Sequence, residues 1–174
     1  DIVLLKEELL AKGRAASTVN HYLNALSQLY QIAINEWGLK LTNPISGIKR
    51  MSEPQGRMKR LSFEAEETLL SYCIRLNLAY LADIIIVALE TGMRNGEILS
   101  MRWEDVDFIN RRVLLRHTKN GDSRQVPLTS KAKGVFERLT SQNNHDLVFP
   151  YCRWAIRRHY TRVVKQSAKA HKGV

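Results

Sequence analysis

A chain of 174 residues, 44% of them hydrophobic, is long enough to bury a core in one domain or in two small ones. Its 27 lysines and arginines against 17 aspartates and glutamates leave a formal charge of +10, which points to a polyanion, nucleic acid before an anionic membrane surface. The most apolar run, residues 81–89, is broken by Asp83 and closed by Glu90, far short of a membrane span, and the first residues lack the shape of a secretory signal.

In chain order, residues 1–12 predict a short helix with Leu4, Leu5 and Leu9 on one side and Gly13 as its stop. It reads as the second helix of a domain whose first helix precedes Asp1. Residues 17–37 predict a longer helix, because Val19, Tyr22, Leu23, Leu26, Leu29, Tyr30, Ala33, Ile34 and Trp37 recur at spacings of three and four. Its aromatics read as packing residues. Ser17 or Thr18 is the expected N-cap. In the alternative reading, Ser17, Thr18 and Asn20 present short polar groups to a phosphate or a base edge, with Thr18 and Asn20 as the DNA-contacting candidates.

Residues 49–60 hold Pro54, Gly56 and five basic residues against Glu53, the composition of a linker. The same stretch reads as a basic strap, in which Lys49, Arg50, Lys59 and Arg60 contact a duplex backbone and release its counterions. Ser62 then caps a helix whose first turns carry Glu64, Glu66 and Glu67, where the helix dipole favours acids. Cys73, like Cys152 later, stands in no CxxC or Cys/His spacing. Neither a metal site nor a disulfide framework is expected, both cysteines read as small buried residues, and a reduced, cytoplasmic protein is the simplest expectation.

Residues 78–91 predict a helix apolar nearly all round, the buried centre of the second half, and Gly92 ends it. Arg94 stands at the corner where a second short helix opens and runs to Met101. Glu97, three residues on, lies on the same face and can hold the guanidinium in one orientation. Residues 112–118 and 123–128 read as two strands around Asn120-Gly121, a strong hairpin signal that sets Lys119 beside the tip, facing a ligand or water. Another amphipathic helix follows over 130–141, then Asn143-Asn144 as a break and Leu147-Val-Phe-Pro150 as a short strand. The tail, 151–174, is helical in pattern and holds seven basic residues and no acid. It is either a basic helix lying along DNA or a helix whose acidic cover lies elsewhere.

Two of these stretches carry a resemblance. Thr91-Gly-Met-Arg-Asn-Gly-Glu-Ile-Leu-Ser-Met-Arg-Trp103, followed by Asp105-Val-Asp107, resembles the first catalytic box of the tyrosine recombinases, the phage-integrase family. Thr118-Lys-Asn-Gly-Asp-Ser-Arg-Gln-Val-Pro-Leu128 resembles that family's next box. Residues 17–37 with Asn43-Pro44 are similar to the helical core-binding domain that precedes the catalytic domain, and Leu61-Ser-Phe-Glu64 to the entry into the latter. The resemblance implies a protein that cuts and rejoins double-stranded DNA through a phosphotyrosine, as a homotetramer and without metal or nucleotide cofactor. Arg94 would then hold the scissile phosphate, Glu97 would support it, and Lys119 would protonate the leaving 5′ oxygen.

The family also needs an HxxR box, a further His or Trp, and a nucleophilic tyrosine. His159-Tyr-Thr-Arg162 matches HxxR literally but lacks the Asp-Leu-Arg-His context and reads as coincidence, and Tyr160 within it does not read as the nucleophile. The expectation is therefore a recombinase truncated before its remaining catalytic residues, and inactive by itself. The alternative is a non-catalytic DNA-binding regulator derived from one. The expected fold is α+β and mostly α: a partial helical core-binding domain at 1–50, a basic linker at 51–60, and a partial catalytic domain with a small antiparallel sheet at 61–174.

Overall fold

The computed structural model describes residues 1–55, 60–116, 123–141 and 145–170. The chain divides into two compact units, Asp1–Lys59 and Arg60–Val174. The described residues hold seven α-helices, a 3-10 turn at Trp103–Asp105 and one three-stranded antiparallel sheet, so the chain is mostly helical with a small sheet.

In the first unit, α1 spans Ile2–Ala11, with the Asp1 carboxylate accepting from the Val3 amide at 2.9 Å, and α2 spans Ala16–Asn35. The expected cap of α2 is wrong. Ala15 is the N-cap, in extended conformation and with no side-chain bond, and Ser17 and Thr18 lie inside the first turn. The cause is the tight turn out of α1: Gly13 adopts φ +68°, the Arg14 amide bonds the Leu9 carbonyl at 3.1 Å, and the chain re-enters a helix at once. The helix also ends at Asn35, short of Trp37.

Leu9, Val19, Leu23 and Ile45 form the small core of this unit. Periodicity predicted more packing than the structure has, since Tyr22 is 49% and Trp37 61% exposed. Asn43 does more than break a helix. Its buried amide donates to the Ser27 hydroxyl at 3.0 Å, and its side-chain oxygen accepts from the Ile45 amide at 3.0 Å, pinning the turn to α2.

The second unit is built around α4, Ala79–Thr91, which buries Leu81, Ala82, Asp83, Ile84, Ile85 and Val87. Against it pack α3, Phe63–Arg75, capped by the Ser62 hydroxyl, and α6, Ser130–Thr140, capped by Thr129. Asp83 is nearly buried and meets the Arg138 guanidinium of α6 through two bonds, of 2.5 and 3.2 Å, so this acid in an apolar helix has a charged partner. Cys73 is buried in the core, whereas Cys152, expected to be buried, is exposed just before α7, Arg153–Ala170.

The sheet runs β1, Val106–Asp107; β2, Arg112–Leu115; and β3, Arg124–Pro127. Val113 pairs with Val106 on one side and Val126 on the other, which puts a valine row on the core face, with Val113 and Val126 buried and Val106 partly buried. Residues 147–150 do not form the expected strand. Leu147 makes an isolated bridge to Arg102, and the Val148 amide bonds the Met101 carbonyl at 3.0 Å, after which Pro150 removes the next donor.

Candidate active site

The site begins with how α4 stops. Gly92 takes φ +63°, a left-handed conformation open to glycine, and its amide caps the Ala88 carbonyl at 3.0 Å. Met93 is buried in the next position, which turns Arg94 outward as the extended N-cap of α5, Asn95–Ser100. An arginine has no acceptor for the amides of a helix start. Glu97 supplies the missing partner from the other direction: its Oε2 accepts from the Arg94 amide at 2.8 Å, and its Oε1 accepts from the Arg94 guanidinium at 3.0 Å. The Glu97 side chain is 7% exposed and that of Arg94 63%, so one edge of the guanidinium is tied to a buried carboxylate while much of the rest faces solvent.

A second guanidinium reaches the same carboxylate. Arg124 Nη2, at the start of β3, donates to Glu97 Oε2 at 2.9 Å. Burial pushes the Glu97 carboxyl up, but the bonds from the Arg94 amide, the Arg94 guanidinium and the Arg124 guanidinium outweigh it and hold the group below its ordinary range. A carboxyl depressed on folding contributes stability that is complete above its unfolded pKa and lost as pH falls through the folded one. We therefore expect Glu97→Gln to lower the unfolding midpoint at neutral pH and to shrink the loss on acidification below the ordinary carboxylate range. Acid limbs of equal depth in the two proteins would contradict this.

Two further neighbours shape the corner. A Cβ on Gly96 would stand 3.1 Å from Arg153 Nη2, so the first residue of α7 lays its guanidinium on the first turn of α5. On the other side, Arg116 donates from Nε to Asp105 at 2.5 Å and also pairs with Glu104 at 3.5 Å. The chain just beyond β2 and the first residue of β3 are thus each tied by an arginine to acids on the Arg94 side of the sheet.

Arg94 and Glu97 stand together, as their spacing implied. Lys119 and Lys59 lie outside the described residues. Thr18 is half-buried in the first turn of α2, and Lys49, Arg50 and Arg60 are exposed. Asn20 is buried and engaged by the chain itself: its amide donates to the Met51 carbonyl at 3.0 Å and to Glu53 at 2.8 Å, and its oxygen accepts from the Met51 amide at 3.0 Å. The two residues of the literal HxxR lie one turn apart on α7. His159 shares a hydrogen bond with the Tyr80 hydroxyl, while Arg162 lines an open groove with Arg158 and Lys165.

Arg124 and Arg153 escaped the sequence reading. A signal for Arg124 was present, because strand alternation puts it on the side of Val126 and Leu128, which are buried. An arginine of that parity beside the hairpin loop needs an internal acid. Among the described residues no cluster of three or more His, Cys, Asp or Glu could hold a metal ion, and no helix is long and apolar enough to cross a membrane.

Comparison with known proteins places these features. Residues 59–172 match the phage integrase family. A shufflon-specific DNA recombinase of Escherichia coli is 42% identical over 140 residues, covering 80% of this chain and 36% of the relative. A putative integrase/recombinase of Haemophilus influenzae is 33% identical over 129 residues, covering 71% of this chain and 42% of its own length. The chain thus spans well under half of these curated relatives. In fold, a lambda integrase dimer bound to a COC′ core site superposes with a TM-score of 0.77 over 96% of this chain and 50% of that one, at 18% identity. The Tn1549 transposon integrase in complex with circular intermediate DNA gives 0.73 over 96% and 63%, at 22% identity.

Proposed function

This chain belongs to the phage integrase family, and on that premise we propose that it is part of a site-specific recombinase that cleaves and rejoins double-stranded DNA through a phosphotyrosine. The observation that carries this reading is the Arg94 guanidinium, held on one edge by a buried carboxylate and open on the other. A planar fork that never deprotonates suits the non-bridging oxygens of a phosphodiester, whose negative charge grows as the tyrosine attacks. Glu97 keeps that fork aimed. Lys119 acts as the acid that protonates the leaving 5′ oxygen, a role open to an ammonium whose pKa is lowered by nearby guanidinium charge.

The remaining histidine, arginine and tyrosine come from chain outside these 174 residues, in a cytoplasmic enzyme that works as a homotetramer on DNA. Two observations support this. The relatives are more than twice as long as the part matched here, and His159 is engaged by Tyr80. The second reading, a DNA-binding regulator without cleavage activity, is favoured by the acid-free basic helix α7, which serves backbone binding without any chemistry.

A transplant separates the two readings. The E. coli shufflon recombinase carrying residues 60–168 of this chain in place of its own matching segment should still recombine its DNA if the segment is catalytic. A chimera that folds and binds DNA but does not recombine it would favour the regulator. In this proposal Lys49, Arg50, Lys59, Arg60 and Thr18 touch the duplex backbone, while Asn20 holds the start of the linker. Replacing both Lys49 and Arg50 with alanine should flatten the dependence of log K on log salt by about 0.9 for each phosphate left without its cation. An unchanged slope in a filter-binding titration would place both residues away from DNA.

A further inference from the structure

Neither the motif resemblance nor the reading of the site gives Arg124 a role, yet its guanidinium completes the coordination of Glu97. The geometry is specific. Glu97 Oε2 takes the Arg94 amide at 2.8 Å and Arg124 Nη2 at 2.9 Å, leaving Oε1 for the Arg94 guanidinium at 3.0 Å. With two donors on one oxygen, the carboxylate plane has little freedom to turn about its terminal torsion, which is otherwise broad. Fixing that plane fixes where Oε1 points, and so the plane of the Arg94 fork.

Charge leads the same way. Glu97 with Arg94 alone is a neutral pair, to which an incoming phosphodiester is weakly drawn. Glu97 between two guanidiniums leaves one net positive charge at the solvent face, where the Arg94 side chain is 63% and that of Arg124 45% exposed. Arg124 is also the first residue of β3, 27 residues from Glu97, so its bond ties the loop end of that strand to the helix corner.

We propose that Arg124 is a positioning residue: acting through Glu97, it holds the Arg94 guanidinium in the orientation that receives a phosphate and locks β3 to that guanidinium. The inference rests on the reading of Arg94 as the phosphate ligand. A bland alternative makes Arg124 a strand anchor, in which case its loss lowers stability and leaves Arg94 alone.

The test follows the Arg94 side-chain Nε–Hε resonance of the 174-residue protein, assigned with Arg94→Lys, during titration with inorganic phosphate. In the unmodified protein the resonance should shift saturably. Arg124→Met should displace it before any phosphate is added and weaken phosphate binding about tenfold, whereas Arg124→Lys, which keeps a cation and a donor for Glu97, should restore binding to within about threefold. If Arg124→Met does not fold, Arg124→Gln takes its place.

A methionine variant with a lower Tm, an unmoved Arg94 resonance and affinity within about twofold would overturn the inference and leave Arg94 as phosphate ligand intact. So would a saturable phosphate response of the Arg124 resonance that accompanies the Arg94 response in the unmodified protein and persists in Arg94→Ala, because Arg124 would then touch the anion directly. Absence of any Arg94 response in the unmodified protein would overturn the reading of Arg94 itself, and this inference with it.

Discussion

Replacing Arg94 with alanine is expected to slow DNA strand cleavage about 10²–10³-fold, the loss seen when one preorganised donor is removed from a developing oxyanion. Binding of the duplex should change little, because affinity for DNA is spread over many backbone phosphates, of which the proposal gives Arg94 one. The structure sets the terms of this prediction. Arg94 lies outside the packed core, and among the described residues its guanidinium bonds Glu97 alone. Its removal opens no cavity. It does leave Glu97 with Arg124 as its guanidinium partner, so a modest loss of stability accompanies the loss of rate. Arg94→Lys should fall between, since it keeps the charge and loses the two-pronged geometry. Single-turnover cleavage in the shufflon chimera measures the effect. Cleavage within a few-fold of the parent would remove Arg94 from the chemistry.

The second large effect concerns the scaffold. Phe136→Ala is expected to destabilise the second unit by about 3–5 kcal/mol, the range for deleting a fully buried aromatic ring. Phe136 has no exposed surface, lies on the face of α6 turned to α4, and meets the Phe149 ring at 6.4 Å between centroids. That helix pair also carries the buried Asp83 and its partner Arg138, so the cavity cannot collapse freely without disturbing an ion pair. Since α4 ends in the Gly92 turn that mounts Arg94, loss of this packing also loosens the site. Urea unfolding of the chain gives the number. A change below about 1 kcal/mol would mean that the ring is not core.

What could be read in the sequence was what chain neighbours decide. Gly92 as a helix stop, Arg94 at the corner and Glu97 three residues on involve a single turn of backbone, and the structure has each of them. The α+β class and the small antiparallel sheet followed from periods of 3.6 and 2 joined at turn residues. Where the outcome depends on packing, on the geometry of an adjoining turn or on residues far apart in the chain, the reading failed. The stripe on α2 announced a common face but not how much of it is covered, and Tyr22 and Trp37 are largely exposed. The start of α2 was set by the geometry of the preceding turn rather than by the two hydroxyl residues beside it. Residues 147–150 look like a strand alone, yet their partner is a stretch near Met101 and Arg102 that allows a single bridge. Arg124 stands inside a motif that signals a hairpin, and its own role escapes that motif because only the folded hairpin brings it to Glu97.

The most direct test of the central claim is covalent capture. Cells expressing the whole gene that encodes this chain are lysed in denaturant, the protein is purified without crosslinking, and DNA attached to it is quantified for the natural sequence and for Arg94→Ala. A phosphotyrosine-linked DNA end in the natural protein, reduced at least about a hundredfold in the variant, is the predicted result. A protein that binds a defined duplex tightly and yields no attached DNA would contradict the account and leave the regulator in its place.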